Sequence, residues 1–223
     1  MTPSTNPSPS SRLEELSRDL VAPVRQRLCW FCVNPLAHAC FLNTLSLMEH
    51  IGSRKIMASQ SGPELSHETL KHLAEEARHA YFFKREAERL SRAALDYRET
   101  NTIAGPFARA YMGRLDAEIA AALGDEANSA LPYLYMSLTV ELRAVWLYEL
   151  YQAVLAEQKV AITLKSVLAE EELHLSAMLE RLHRLDEHAG RRMGEFSSFE
   201  DTRFRVLWAA IENACGRERV AAE

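Results

Sequence analysis

The sequence predicts an all-α fold, a four-helix bundle with one long crossover connection and additional helices at both ends. The 223 residues include only eight Gly and eight Pro, while Ala, Leu, Glu and Arg, which favour helices, are abundant. In four long segments, apolar residues recur at spacings of three and four, so each segment has one face to bury. With 48% hydrophobic residues, we expect one domain with a sizeable core.

The start of the chain is rich in Pro and Ser. This composition predicts a disordered lead-in over residues 1–11, followed by a single helical domain over residues 12–223. Ser10 or Ser11 is expected to cap a first short helix, and Pro23 is expected to bend or break it.

Capping and turn residues delimit the bundle helices, whose core covers about residues 35–188. Asn34 followed by Pro35 is typical of a helix start, and the sequence from Gln60 to Pro63 is typical of a turn. The expected bundle helices cover about residues 35–59, 63–95 or 66–95, 130–157 and 162–188, with a helix at 106–123 in the connection and a last helix from Ser198 to Cys215.

Charge and hydropathy argue against nucleic acid or a membrane as a partner. The net charge is −5, and no basic stripe is present. No apolar run approaches the roughly 18 residues needed to span a bilayer, and the N-terminal residues lack the apolar core of a signal peptide. Four Cys without a secretory signal indicate free thiols in a reducing compartment, so we expect a cytoplasmic protein.

Cys29 and Cys32 form a CxxC motif, which suggests either a redox pair or half of a metal site. A zinc or rubredoxin site needs a second CxxC, and the chain has none. The sequence therefore favours two small apolar residues packed among aromatic neighbours, although it assigns them no role. Cys40 and Cys215 are expected to be buried.

The fourth bundle helix carries two polar residues on its apolar face. Glu171 and His174 lie three positions apart within the stripe, so both can reach one ion. A buried carboxylate and a buried imidazole are costly unless something compensates them, and a metal cation does so because both groups are good ligands. Glu76 and His79 repeat this pattern in the second bundle helix.

The Glu-x-x-His motif alone is weak, because the chain contains two further matches, Glu64/His67 and Glu180/His183. At about 100° per residue, Glu180 lies on the side of its helix opposite to Glu171. Glu64 is about a third of a turn away from the inward stripe and adjoins a predicted helix start. We expect both of these pairs to face solvent or lie at helix ends.

Two further carboxylates lie at matching heights in the predicted bundle. Glu49 precedes the first turn by about thirteen residues, and Glu76 follows it by about thirteen. Glu141 precedes the second turn by about sixteen residues, and Glu171 follows it by about fourteen. In antiparallel helices, equal distance from the turn means equal height, so each pair of carboxylates should meet across the bundle.

Together these residues resemble the ligand pattern of the ferritin-like non-haem di-iron carboxylate superfamily, which includes rubrerythrins, ribonucleotide reductase small subunits, aldehyde-deformylating oxygenases, tRNA hydroxylases and arylamine N-oxygenases. The resemblance covers about residues 35–188 and is specific for the superfamily rather than for one member. It implies a ferritin-like bundle that binds two Fe, with Mn as the alternative. The implied metal ligands are the bridging carboxylates Glu76 and Glu171, the terminal carboxylates Glu49 and Glu141, and one nitrogen from each of His79 and His174.

The sequence differs from several individual families of this superfamily, and these differences make some of the families a weaker match. Ferritin's ferroxidase centre usually lacks the second Glu-x-x-His histidine, which this chain has, so iron storage is a weaker interpretation. Rubrerythrins usually carry paired CxxC motifs, whereas this chain has one. Val167 stands where arylamine N-oxygenases carry an extra His, so no third nitrogen ligand of that kind is expected. The short intervals between Glu residues are most similar to the aldehyde-deformylating type.

The resemblance implies a di-iron oxidase or oxygenase that activates dioxygen, takes electrons from an external donor and oxidises a small, largely apolar substrate. A second interpretation is metal or peroxide handling, as a ferroxidase, a peroxidase or a manganese catalase. Apolar volume beside the ions would favour an organic substrate, and a narrow polar channel would favour peroxide or iron. A third interpretation is a helical interaction protein whose inward Glu and His residues form ion pairs.

The sequence does not determine the catalytic residues. Tyr148 lies on the inner stripe two turns from Glu141 and is a candidate for relaying electrons or protons, although a buried core Tyr is the favoured interpretation. The resembling families commonly form homodimers, and the sequence permits one. The candidates for orienting the two imidazole rings are Glu75, Arg78, Ser137 and Glu172.

Overall fold

The computed structural model describes residues 8–59, 65–124 and 130–221, with side chains described up to residue 216. All regular structure in these ranges is helical, with no strand, so the all-α prediction is confirmed there. The eight α-helices are α1 (Pro9–Leu16), α2 (Val21–Cys32), α3 (Pro35–Ser59), α4 (His67–Ser91), α5 (Gly105–Leu123), α6 (Leu131–Glu157), α7 (Lys165–Leu185) and α8 (Ala189–Ala221). Across these ranges, every helix is too short or too polar to span a lipid bilayer.

Helices α3 and α4 form an antiparallel hairpin with the most extensive contact between any two elements. The Ser46 hydroxyl of α3 donates a hydrogen bond to the Ala80 carbonyl of α4 at 2.6 Å. One turn and a half further along α3, Gly52 faces Glu76. A Cβ atom at Gly52 would lie only 3.1 Å from Glu76 Oε2, so the missing side chain leaves room for this carboxylate.

Helices α6 and α7 form the second hairpin, and its turn is closed by a side chain. The Gln152 amide oxygen accepts a hydrogen bond from the backbone N–H of Leu164 at 2.6 Å. Helix α3 contacts α6, and α4 contacts α7, so the two hairpins pack together around a shared interior. That interior holds the inward-facing polar residues of all four helices.

The chain crosses from α4 to α6 through a long segment that contains α5. Asn43 of α3 donates hydrogen bonds to the carbonyls of Asp96 and Asn101, both at 2.8 Å. Helix α5 then packs on α3, α6 and α8. It ends before Gly124, whose φ of 71° is readily adopted only by a residue without a Cβ atom.

A buried ion pair network fixes α8 on the bundle. The Arg143 guanidinium of α6 donates two hydrogen bonds to Glu200 of α8 within 2.8 Å and one to the Ser17 hydroxyl at 2.8 Å. Tyr111 of α5 donates to the same Glu200 carboxylate at 2.8 Å. Because all of these groups are buried and paired, the network joins α5, α6 and α8 into one wall.

Two predicted boundaries near the N-terminus are corrected. Helix α1 begins at Pro9 and is capped by Ser8, whose hydroxyl accepts from the Ser11 backbone N–H at 3.2 Å, so neither Ser10 nor Ser11 is the cap. The helix ends at Leu16, whereas Pro23 lies in the first turn of α2, where a missing N–H costs little. Of the predicted lead-in, residues 1–7 lie outside the described residues, as does the predicted turn from Gln60 to Pro63.

The C-terminal boundaries also differ from the prediction. Helix α7 ends at Leu185, and α8 already begins at Ala189 rather than at Ser198. Asp186 separates the two helices, because its carboxylate accepts from the backbone N–H of His188 at 2.9 Å. Ala189 and Gly190 were predicted to end the fourth bundle helix, but both lie at the start of α8.

Candidate metal centre

The structure brings all six predicted ligand residues together inside the bundle. Helices α3, α4, α6 and α7 each contribute a carboxylate, and α4 and α7 also contribute the imidazoles of the Glu-x-x-His pairs. A seventh residue, His72 of α4, joins them. All seven side chains are buried, between 1% and 8% exposed. They form two groups in which one ligand atom of each residue lies within 4.8 Å of the others: His72, Glu76, Glu141 and His174 in one, and Glu49, Glu76, His79 and Glu171 in the other.

The spacing within each group fits a metal ion. Nitrogen and oxygen ligands lie roughly 2.0–2.2 Å from a transition metal, so two ligands on opposite sides of an ion are about 4 Å apart. A group spanning 4.8 Å or less therefore needs only a small inward movement to surround an ion. Imidazole nitrogen and carboxylate oxygen together suit Fe, Mn and Zn rather than Ca²⁺ or Mg²⁺.

Unpaired polar atoms in the two groups support this assignment. His72 Nε2, His79 Nδ1, Glu76 Oε1 and Glu141 Oε2 are buried and have no hydrogen-bond partner. Although His72 Nε2 lies 2.8 Å from Glu141 Oε1, the two are not aligned for a hydrogen bond. Buried polar atoms without partners are costly and rare, and four of them converge here. A cation coordinated at the centre would satisfy these atoms.

Two carboxylates lie between the groups. Glu76 belongs to both. Glu171 belongs to the group of His79, whose Nδ1 lies 3.0 Å from Glu171 Oε1, but its second oxygen is 3.4 Å from His174 Nδ1 in the other group. These are the two residues that the resemblance implies as bridges between metal ions.

His72 is the residue that sequence reasoning missed. The spacing of three and four predicts an inward stripe of α4 that includes Leu70, Leu73 and Ala77, but Leu70 is 45% exposed and Ala77 is also exposed. His72 instead shares the buried face, four residues before Glu76 and seven before His79. That spacing was the available signal. The prediction from Val167 concerned only an extra His of the arylamine N-oxygenase kind on α7, whereas the extra imidazole here comes from α4.

Each imidazole is held in place through its other ring nitrogen. His72 Nδ1 lies 3.0 Å from the Tyr133 hydroxyl, and His174 Nε2 lies 2.7 Å from Glu75 Oε2. His79 Nε2 lies 2.8 Å from Glu170 Oε2, which also pairs with the Arg78 guanidinium. Such contacts fix ring orientation and tautomer. Glu75 and Arg78 were among the predicted partners, whereas Tyr133 and Glu170 were not.

Glu172, another predicted partner of the imidazoles, is exposed. The two Glu-x-x-His pairs that were set aside also behave as expected where the structure describes them. His67, Glu180 and His183 are exposed, and Glu180 pairs with Arg184 at 2.6 Å. Glu64 lies outside the described residues.

The carboxylates and imidazoles strongly perturb one another's pKa values. Burial lowers the pKa of His72, but Glu141 and Glu76 outweigh burial and raise the pKa to about 12. Burial likewise lowers the pKa of His79, and Glu171 with its neighbours raises it to about 10. Burial raises the pKa of Glu141 to about 8 despite His72. At pH 7 the metal-free site therefore holds protons where cations would otherwise balance its negative charge.

Tyr148 contacts the centre directly. Its hydroxyl donates a hydrogen bond to Glu49 Oε1, and its ring lies 5.3 Å from that of Phe83. Burial and the adjacent Glu49 raise its pKa well above the usual value, so the hydroxyl stays protonated as a donor. Tyr148 is thus a buried core residue that also hydrogen-bonds a candidate ligand, Glu49.

A narrow apolar cavity of about 60 Å³ reaches the centre from the side of α5 and α8. All four carboxylates of the candidate ligand set are among the residues that line it. Its remaining walls are mostly apolar and are provided by α3, α5, α6 and α8. The apolar lining includes Phe41, Leu45, Met48, Met112, Val140, Ala144, Leu147, Phe204, Leu207 and Ile211.

A second cavity, of about 120 Å³, lies on the opposite side, between α4, α6 and α7. It reaches His72 and His174, and its walls include Lys71, Glu75 and Arg181. Two cavities therefore adjoin the candidate centre, one with mostly apolar walls and one whose walls also carry charged side chains.

Comparisons with known proteins leave the family open. No protein-family model matches the chain. No curated protein and no solved structure is significantly similar to it.

Proposed function

We propose that the chain is a ferritin-like di-iron oxidoreductase that uses dioxygen to oxidise or oxygenate a small, largely apolar organic molecule. The observation that carries this proposal is the apolar cavity, whose inner end is formed by Glu49, Glu76, Glu141 and Glu171. A cofactor site that only stored or oxidised metal would not need an apolar chamber beside it. A centre that oxidises an organic molecule needs one that excludes water and holds the substrate.

The seven buried residues have defined tasks in this proposal. Glu76 and Glu171 lie between the two groups and would bind both ions, while Glu49 and Glu141 would bind one each. His79 would supply a nitrogen to one ion, and His72 and His174 would supply nitrogens to the other. When bound by these residues, two irons would supply the electrons and open coordination positions that dioxygen reduction requires, and an external donor would restore those electrons.

The surrounding residues control protons and water. The Tyr148 hydroxyl stays protonated and donates a hydrogen bond to Glu49, which fixes this carboxylate beside the cavity. Glu75 and Glu170 orient the rings of His174 and His79. Phe41, Leu45 and Leu207 help to exclude water from the inner end of the cavity.

The second candidate function is metal or peroxide handling, with manganese or iron. The cavity at His72 and His174 favours it, because the charged side chains of Lys71, Glu75 and Arg181 in its walls let small polar molecules approach the centre there. Both candidates need the same ligand residues, so substituting a ligand does not separate them.

Filling the apolar cavity separates them. Ala144 lines this cavity, while Ala153 lies exposed on the same helix. The experiment loads each protein with iron, reduces it and exposes it to air with a panel of short apolar compounds. We expect Ala144→Leu to retain metal but lose oxidation of organic substrate, and Ala153→Leu to behave as the unchanged protein. Peroxide consumption or iron oxidation without any organic product, unaffected by Ala144→Leu, would favour the second candidate.

A further inference from the structure

Trp208 of α8 lines the apolar cavity and carries a hydrogen-bond donor that has no acceptor within the described residues. Its side chain lines the cavity and is only 4% exposed. Its indole N–H is buried and has no acceptor. Indole N–H groups usually find a partner when buried, because an unpaired donor costs free energy. The missing acceptor is therefore evidence for a ligand rather than a feature of ordinary packing.

The other polar side chains that line the cavity, apart from the candidate ligands, are already paired. Tyr111 and Arg143 are bonded to Glu200. The Thr44 hydroxyl donates to a carbonyl of its own helix and accepts from the Ile103 backbone N–H at 2.8 Å. Among the described lining residues, the Trp208 N–H is thus the donor left for a bound molecule.

The chemistry of the cavity restricts what that molecule can be. An indole N–H only donates, so the ligand must supply an acceptor. A carbonyl or ether oxygen only accepts hydrogen bonds. A hydroxyl group also carries an O–H donor, which would need an acceptor of its own. The Arg143 guanidinium is paired with Glu200, Asp201 and Ser17, so it is not free to balance an anionic carboxylate held by the Trp208 N–H.

Size adds a further restriction. A cavity needs roughly 10–15 Å³ to hold one water molecule, so about 60 Å³ accommodates a compact ligand of roughly four to six non-hydrogen atoms. We propose that this cavity binds a small uncharged molecule with one carbonyl or ether oxygen, held by the Trp208 N–H, so that its hydrocarbon part faces the candidate metal centre. This proposal deepens the proposed oxidation of an organic substrate and rests on it.

A matched pair of probes tests the donor. Butanone and 2-methyl-1-butene have nearly the same shape, but only the ketone can accept a hydrogen bond. The full chain is labelled with ¹⁵N in its three indole groups, loaded with Zn²⁺ so that the metal is diamagnetic, and titrated with each probe. We expect butanone to move the Trp208 indole proton downfield, with no comparable change at Trp30 or Trp146, and the alkene to cause no such shift.

A substitution then measures how much the Trp208 N–H contributes to the preference for butanone over the alkene. Trp208→Phe keeps an aromatic ring but removes the donor, and Trp30→Phe makes the same change away from the cavity. We expect the preference for butanone over the alkene to fall roughly fivefold in Trp208→Phe, the effect of one neutral hydrogen bond, and to be unchanged in Trp30→Phe. An absent Trp208 shift, or equal affinities for both probes in the unchanged protein, would overturn the proposal even if Trp208→Phe misfolds.

The same titration without Zn²⁺ separates this inference from the metal proposal. If the chain binds no metal but butanone still moves the Trp208 signal, the donor site stands and the di-iron function fails. If metal binds and the indole signal does not respond to butanone, the metal centre stands and the ligand assignment fails.

Discussion

His72 Nε2 lies 2.8 Å from Glu141 Oε1, across the space between α4 and α6. Neither residue belongs to a Glu-x-x-His pair, yet the two complete one of the two groups of candidate ligands together with Glu76 and His174. The contact places a third imidazole beside the carboxylates. It also makes the two metal positions unequal, because one group has two nitrogen donors and the other has one.

Because the two groups are unequal, we predict that substitution of His72 removes one metal ion and leaves the other. We expect His72→Ala to lower the metal content from two ions per chain to about one, because the group that contains His79 keeps all of its donors. His67→Ala is the matched control, since His67 is exposed at the start of the same helix. Metal analysis after reconstitution measures the ratio, and full retention of two ions by His72→Ala would exclude His72 as a ligand.

The Tyr133 hydroxyl is predicted to act through His72. Its contact with His72 Nδ1 at 3.0 Å orients the ring, so Tyr133→Phe should weaken metal binding at that position by about 10- to 100-fold. Tyr81→Phe removes a hydroxyl from an exposed residue of α4 and should have no effect. A chelator competition titration gives both affinities, and equal values for the two variants would contradict a positioning role for Tyr133.

Metal uptake is predicted to release protons. With pKa values raised to about 12 and about 10, His72 and His79 are protonated in the metal-free chain at pH 7, and a metal ion must displace both protons. Affinity should therefore rise with pH, by roughly tenfold per pH unit at each position for one displaced proton. Calorimetry in two buffers of different ionisation enthalpy counts the protons, and a count near zero would contradict this.

The buried His38 predicts a separate pH dependence of stability. Burial, followed by Arg89, lowers its pKa from 6.5 to about 4, and its Nε2 contacts the Tyr151 hydroxyl. The folded state keeps His38 neutral while the unfolded chain takes up a proton below pH 6.5. The contribution of neutral His38 to the free energy of unfolding is thus complete above pH 6.5. It falls by up to about 3 kcal/mol as the pH falls towards 4.

Denaturant unfolding of the metal-free protein at pH 7.5 and pH 4.5 measures this loss. His38→Gln should show a smaller decrease in stability between the two pH values than the unchanged protein. His183→Gln, at an exposed position, should show the full decrease. An identical pH dependence in all three proteins would show that His38 does not titrate as argued.

The helical periodicity made much of this architecture predictable. Equal distances from the turns predicted that Glu49 lies near Glu76 and that Glu141 lies near Glu171. The structure places all four at one cavity. His72 was missed because the apolar residues Leu70 and Leu73 suggested a different inward face for α4. Because polar residues lie on the buried face of α4, hydrophobicity alone does not identify that face correctly.

Features formed by several helices were beyond sequence reasoning. The Trp208 N–H lacks an acceptor only because of how α8 packs on the bundle, and no pattern in the sequence records that. The contact between Tyr133 and His72 likewise depends on the relative height of α4 and α6. The start of α8 at Ala189 depends on Asp186, a single residue between two helices.

The most direct test of the central claim is the metal content of the purified chain and of Glu76→Gln, because Glu76 is the residue that belongs to both groups. Both proteins are reconstituted with Fe²⁺ under anaerobic conditions and exposed to air, with Glu180→Gln as an exposed control on α7. We predict about two irons per chain in the unchanged protein and in Glu180→Gln, and a loss of both in Glu76→Gln. Failure of the unchanged protein to bind iron or manganese, or retention of two ions by Glu76→Gln, would contradict the account.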